Sequence, residues 1–471
     1  MGSLSGLFDL SRRSLASDQL ALSATANNVA NQNTAGYVRQ VATWQSGDLV
    51  TLSGSSGTSP TESTTGPVVT ITSKRDRVLE QRVQQQTQIQ AATGARAAVL
   101  SQVEDVFSPS GVSASVGATQ IGSATNQFFA SLTALAASPS DPASRQSVLN
   151  AAQSVASAFN TAASQLTQIG NDLNGQLASS VDAVNGLTTT IARLNGQIAE
   201  NSPGQDAGPL EDQRQQAIAQ LSQYVGLDQV STEANGITLT TQGGTALVAG
   251  TRAYSLSAVN TGGRTEIRDS RGNDASASII GGSVGGQLVA QNLDIPAVQG
   301  GLDALAFRFA GAVNTANAHG ATPGGGLGGP IFAAGVTVSG AAAALSLTAG
   351  SAGIAANGIG EGSSGSTNAL VLAQVQQIQD ASGLTIGAQF GGLLAQVGTQ
   401  SSSLKEQDTA QTASLAQLTG VRDSLSAVSL DQEAANLTQY QRSYQAAAKL
   451  FSIVDSLLTS AINLGQQTTV S

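Results

Sequence analysis

The chain has 471 residues, no cysteine, and 20 Lys and Arg against 30 Asp and Glu, a formal net charge of −10. With one His, one Met, one Trp and only 11% charged residues, disulfides, a cysteine zinc site, a thiol nucleophile and a two-histidine zincin motif are excluded by count. The acidic balance offers no basic face for nucleic-acid phosphates, while 40% hydrophobic residues leave ample chain for real cores, about three units by length.

Residues 1 to 30 read as an amphipathic helix. Heptad position a carries Met1, Phe8, Leu15, Leu22 and Val29, while d carries Leu4 and then polar Ser11, Asp18 and Thr25. One edge of this seam is weak, so the helix is expected to be marginal alone and ordered by a partner. It stops in Asn27-Asn28-Val29-Ala30-Asn31-Gln32-Asn33-Thr34-Ala35-Gly36-Tyr37, where Asn tolerates and Gly36 prefers left-handed backbone, a helix end followed by a shaped turn. Val41 to Thr72 is rich in Ser, Thr and Gly with short alternating runs, which predicts extended structure. Lys74-Arg75-Asp76-Arg77 reads as a solvated helix start.

A helical block is predicted from about Asp76 to Tyr224. Its clearest stripe is Leu173, Leu177, Val181, Val184, Leu187, Ile191, Leu194 and Ile198, spaced by three and four, the mark of a long packed helix. Gly175, Gly186 and Gly196 interrupt it, at about 1 kcal/mol each relative to Ala, so either neighbours approach closely there or stability is modest. Breaks are expected at Ser138-Pro139-Ser140-Asp141-Pro142 and at Asn201-Ser202-Pro203-Gly204.

From Gly226 to Gly282 the period falls to two, with Gly243-Gly244, Gly262-Gly263 and Gly272-Asn273 as turns, a small antiparallel β unit. Helical pattern resumes through Leu302, Leu305, Phe309 and Val313. His319 to Ser366 is Gly/Ala-rich, with one alternating run at Val336 and Val338 and a Thr322–Pro330 stretch that reads as flexible linker. The remainder is helical, and the last helix carries the strongest heptad: Leu430, Leu437, Tyr444, Phe451 and Leu458 at a, with Tyr440, Ala447, Val454 and Ala461 at d. Such a seam wants a partner, and the first helix is the matching candidate.

Chemistry is scarce. His319 reads as a loop histidine. The glycine-rich stretch lacks the Lys-Ser/Thr of a phosphate loop. Glu104-Asp105 and Glu211-Asp212 read as solvated helix charge. A glycosidase built from distant Asp and Glu needs no local motif, and nothing in the sequence supports one. No stretch reaches the roughly 18 apolar residues of a membrane span, and half-polar Met1 to Leu10 does not read as a secretory signal. No catalytic, metal or cofactor residue is expected, and no enzyme.

Asn27-Asn28-Val29-Ala30-Asn31 with Thr34-Ala35-Gly36-Tyr37-Val38-Arg39-Gln40 resembles the N-terminal signature of bacterial flagellar axial proteins, and the Gly-Tyr-x-Arg-Gln ending resembles the hook-associated protein 1, or hook–filament junction, family. Ser429-Leu430-Asp431-Gln432-Glu433-Ala434-Ala435-Asn436-Leu437 with Tyr440-Gln441 and Tyr444-Gln445-Ala446 is similar to that family's other end. Internal anchors agree at Asp141-Pro142-Ala143-Ser144-Arg145-Gln146, Leu194-Asn195-Gly196-Gln197-Ile198 and Asp212-Gln213-Arg214. Ala427 stands where the family usually has Gly, and Gln432 replaces a frequent Glu.

The expected fold is mainly α with a smaller β part, elongated and nested. It comprises a terminal coiled coil (1–40 with 429–464), a helix-rich middle domain with extended segments (41–225 with 285–428), a small antiparallel β unit further out (226–284) and a Gly/Ala-rich remnant of a variable outer domain (320–366). The resemblance implies a structural subunit, exported unfolded through the flagellar type III apparatus without cleavage of its N-terminus, extracellular, and ordered on assembly. Implied partners are further copies in a ring or helical layer, hook protein, the second junction protein and a cytoplasmic chaperone at the C-terminal helix, with no nucleic acid and no membrane. The assembly seam is expected at Phe8, Leu15, Leu22, Val29, Leu437, Tyr440, Tyr444, Phe451, Val454 and Leu458. The signature turn is expected at Asn27, Asn28, Asn31, Thr34, Gly36, Tyr37, Arg39 and Gln40. Other readings are another axial protein, such as hook, rod or the second junction protein, or a secreted adhesin or enzyme with flagellar-like ends.

Overall fold

A computed structural model describes residues 2–33, 37–45, 49–52, 61–64, 68–107, 119–201, 208–231, 236–261, 263–426 and 428–467. The fold is mainly α with a smaller β part. In chain order, α1 (Gly2–Ala30) leads through β1 (Gln40–Gln45), β2 (Leu49–Leu52), β3 (Thr61–Thr64) and β4 (Val68–Ser73) into α2 (Arg77–Phe107), α3 (Gln120–Ala137), α4 (Pro142–Asn201) and α5 (Gly208–Tyr224). Next come β5 (Leu227–Ser231), β6 (Ile237–Thr241), β7 (Ala246–Ala249), β8 (Arg252–Ala253), β9 (Ser257–Thr261) and β10 (Arg264–Arg268). The chain ends with α6 (Gly282–Val289), α7 (Ile295–Ala318), β11 (Phe332–Ala333), α8 (Ala341–Ala344), β12 (Ser346–Leu347), α9 (Thr367–Gln374), α10 (Ile386–Ser426) and α11 (Leu430–Gln467).

The body is a helix bundle started by caps that the sequence supplies. Asp76 accepts from the amides of Val78 and Leu79 to open α2, and Asp141 accepts from those of Ala143 and Ser144 to open α4 behind Pro142. The end of α4 at Asn201 meets one expected break, while Ser202-Pro203-Gly204 lies outside the described residues. At 60 residues α4 is the longest element, about 90 Å by helical rise. Along it Leu173, Leu177, Val181, Val184, Ile191, Leu194 and Ile198 are buried. Among the described residues a side chain at Gly175 or Gly186 would meet nothing, and one at Gly196 only Thr251, so the first two glycines serve no close approach of a described helix. The core centres on Phe128, Phe129, Phe159, Phe309 and Phe332, whose ring centroids lie 5.2 to 6.3 Å apart in the contacting pairs.

Strands β5, β6, β7 and β8 form one antiparallel sheet in chain order, and β9 pairs with β10 as a separate hairpin. Gly244 and Gly263 turn the chain at φ of 89° and 84°, the left-handed backbone that the glycine pairs predict. Asparagines of α4 hold this unit by bonding its backbone as a neighbouring strand would. Asn185 exchanges two hydrogen bonds with Leu256, and Asn195 bonds Ile237 on both sides and the Gly250 carbonyl.

The Gly/Ala-rich segment departs from expectation. Thr322–Pro330 is ordered rather than linker-like: Gly328 sits so close to the Asn317 carbonyl that no side chain fits there. Val336 is 98% exposed and, with Val338, lies outside any strand. Ile331, Phe332, Leu345 and Ile354 are buried in the main core, so the segment straps the bundle instead of standing apart from it. Side chains supply the ladder that the short strands lack. Asn314 bonds both Ile331 and Phe332, Asn317 donates to the Gly329 and Gly353 carbonyls, and Arg145 donates to the Ile354 carbonyl at 2.6 Å.

Candidate assembly interface

The two ends of the chain meet. Phe8 packs on Phe451 at a centroid distance of 4.8 Å and Asn28 reaches Glu433, so α1 and α11 run antiparallel. On α11 the d positions Tyr440, Ala447 and Val454 are buried, joined by Glu433 one heptad earlier. On α1 the polar edge Ser11, Asp18 and Thr25 is buried together with Ala21 and Ala24. The large a residues Phe8, Leu15, Leu22, Val29, Leu437, Phe451 and Leu458 are only half-buried, and Tyr444 is exposed. Thus the expected apolar edge flanks the contact, while small side chains sit at its centre. Ser, Ala and Thr allow the backbones to approach, and α1 is covered on a second side by the antiparallel β1–β4 ribbon, whose Trp44 stacks on Tyr440 at 5.1 Å.

At the base of this pair lies a buried polar node. Asn28, 1% exposed, uses its whole amide: Oδ1 accepts from the Gln40 amide and the Tyr37 hydroxyl, and Nδ2 donates to the Gln40 carbonyl and to Glu433 Oε2. Arg39 Nε donates to Glu433 Oε1 at 2.7 Å, and its guanidinium also reaches Gln432 at 2.9 Å. A buried carboxylate is tolerable there because both oxygens are bonded and one faces a cation. Burial, with Asp212 and Glu433 nearby, pushes the Tyr37 hydroxyl up to about 12. Burial also raises Tyr440, Glu433 adding to the rise and Arg39 opposing it.

Of the predicted signature turn, Asn28, Tyr37, Arg39 and Gln40 converge on this node. Asn31 instead caps the end of α1 by donating to the Asn27 carbonyl, Asn27 itself is exposed, and Thr34 and Gly36 lie outside the described residues. Sequence reasoning missed Glu433 as the centre. A carboxylate at a d position of an otherwise apolar seam was the available signal, since such a charge requires a cation from elsewhere. Trp44 was missed as well.

The other charged pairs are engaged. Asp212 takes Arg75 at 2.7 Å, and Glu104 takes Ser401 and Lys405, so neither acidic pair is simply solvated. His319 caps the end of α7. Among the described residues no three His, Asp or Glu side chains gather as metal ligands, and no helix is long and apolar enough to cross a membrane.

Residues 100–332 match the family model described as flagellar hook-associated protein FlgK helical domain, and residues 423–464 match that of the flagellar basal body rod FlgEFG protein C-terminal region. Flagellar hook-associated protein 1 of Bacillus subtilis (strain 168) is 28% identical, with 97% of each chain aligned. The chain belongs to the flagellar hook-associated protein 1 family. Its counterpart in Escherichia coli (strain K12) is 30% identical over 70% of this chain and 60% of that protein. The flagellar hook junction protein FlgK from Burkholderia pseudomallei, at 20% identity, superposes with a TM-score of 0.65 over 74% of this chain and all of that one, a likeness of fold. The second matched region contains Glu433 and the buried edge of α11. The chain is accordingly a structural, axial component of the flagellum.

Proposed function

We propose that this chain is a building block of the junction between flagellar hook and filament, without catalytic activity, and that its terminal pair becomes fully ordered only between neighbouring copies. The observation that carries the reading is the outer surface of α11, where Leu450, Ile453 and Leu457 are 58%, 57% and 51% exposed at helical spacing. A seam whose centre is built of small and polar side chains, with large apolar residues on its exterior, is unlike a self-sufficient coiled coil, and further helices would cover that exterior. Contacts of this kind suit a ring or helical layer of copies, with hook protein on one side and the second junction protein on the other. Before assembly the same stripe needs cover, which fits a cytoplasmic chaperone on α11 and export through the type III apparatus with the N-terminus retained. The nested units 1–40 with 429–464, 41–225 with 285–428 and 226–284, with 320–366 strapped onto the middle unit, form the proposed domain plan, extracellular once assembled.

Deletion of the gene followed by electron microscopy tests this reading. Hooks without filaments and unpolymerised filament protein in the medium are expected, and complementation with Ile453→Asp should leave the phenotype uncorrected. Normal filaments in the deletion strain would refute it.

A further inference from the structure

The terminal node does not end at the coil. The Arg39 carbonyl accepts from the Lys74 amide at 2.9 Å, and the next residue, Arg75, pairs with Asp212 in the first turns of α5 at 2.7 Å. Two residues along that helix, Arg214 is 2% exposed and donates to Asn195 Oδ1 at 2.9 Å. Residues two apart on an α-helix point about 200° from each other, so α5 is gripped on opposite flanks. Asn195 in turn holds the start of β6 and the β7–β8 turn through Ile237 and Gly250. Every step from Glu433 to the β sheet is therefore a hydrogen bond, an ion pair or adjacent backbone.

The geometry points to α5 as a mechanical coupler: docking of α11 on α1 steadies the four-stranded sheet on α4, and release of the terminal pair loosens it. The physical basis is that Arg75 and Arg214 each fix one flank of a 17-residue helix. A shift of the node moves Arg75 through the backbone, and a tilt of α5 misaligns Arg214 and the Asn195 amide that it orients. Both ends bias one element, which is what a coupling between distant sites requires. A subunit built this way signals in its β unit whether its two ends are joined, although the two lie on different parts of the bundle.

Because the chain has no cysteine, a double variant Phe8→Cys/Phe451→Cys of the full-length protein can be joined by a short bismaleimide, which holds the terminal pair closed regardless of its own stability. Hydrogen exchange followed by mass spectrometry is then read over residues 237–249. Linked protein is expected to exchange there at least threefold more slowly than the same variant blocked with a monofunctional maleimide. In an Arg75→Met background the difference should disappear, while the strap residues 331–356 stay unchanged throughout. Equal exchange in linked and blocked protein overturns the inference, and so does a difference that survives Arg75→Met. Failure of the two cysteines to link would remove the docked pair on which the inference stands.

Discussion

The phenylalanine core of the bundle and the pair of terminal helices solve the same packing problem in opposite ways. Around Phe309 the interior is apolar and complete, with Phe128, Phe129, Phe159 and Phe332 closed over it. Between α1 and α11 the interior mixes polar Ser11, Asp18, Thr25, Asn28 and Glu433 with Ala21, Ala24, Tyr440, Ala447 and Val454, while leucines and an isoleucine face outward. The first region is finished within one chain. The second is stable to the extent that its polar groups are bonded, and its apolar gain is deferred to contacts with other molecules.

The largest effect that sharpens this contrast is Phe309→Ala. Truncating a fully buried phenylalanine costs about 3–5 kcal/mol, and urea denaturation of the body should show the midpoint falling accordingly. Phe451→Ala, on a half-buried ring of the terminal pair, should leave that midpoint unchanged within about 0.5 kcal/mol, since its environment is incomplete. Equal losses in the two variants would break the comparison. Next comes Glu433→Ala, which strands Arg39 and one donor of Asn28. Hydrogen bonds to charged groups contribute about 1.5–3 kcal/mol, enough to release α11. The sole tryptophan, Trp44 against Tyr440, reports this as a change in emission, with the body transition unaffected.

The body was legible because its period was intact. The α4 stripe apart from half-buried Leu187, the break at Asp141-Pro142 that opens α4, and the glycine turns at Gly244, Gly263 and Gly272 each follow from a local rule. The heptads at the two ends located the terminal helices and named Tyr440 and Val454, which are buried on α11, but on α1 they put the contact on the large a residues, whereas the d edge of Ser11, Asp18 and Thr25 is the buried one. Heptad reasoning assumes that large apolar residues define the seam, whereas α1 is shared between α11 and the β1–β4 ribbon, and only its small residues fit between two neighbours. The strap 320–366 was opaque for another reason. Its order comes from asparagine and arginine side chains on distant helices, and no local pattern in a glycine-rich run encodes a partner 182 residues away, as with Asn160 donating to the Ala342 carbonyl.

Asp18 offers a smaller and opposite test. It is buried on the polar edge of α1, and one of its carboxylate oxygens has no hydrogen-bond partner among the described residues. A buried unsatisfied polar group costs about 1–3 kcal/mol, so Asp18→Ala should tighten the terminal pair by about 1 kcal/mol once the lost packing is set against it. Slower proteolytic release of residues 430–467 is the expected readout. Faster release would mean that Asp18 supports the pair and that its polar centre is already complete.

The smallest effect concerns alkaline pH. Tyr37 donates to Asn28, and burial beside Asp212 and Glu433 raises its hydroxyl from the ordinary 10 to about 12. The folded state thus holds the proton more tightly than the unfolded state, so the contribution is full below pH 10 and is lost as pH climbs from 10 to 12. Two pH units correspond to about 2.7 kcal/mol at most, and solvent screening of a half-buried group reduces this to about 1 kcal/mol or less. Tyr440, shifted in the same direction, adds to the slope. Trp44 emission should therefore drift toward its undocked value between pH 10 and 12 while the phenylalanine core stays folded. Tyr37→Phe should flatten that drift, because the phenyl ring keeps the packing and removes the titrating proton. A drift of unchanged size in that variant would place the alkaline sensitivity elsewhere, and the node would then not be what holds the two ends together at high pH.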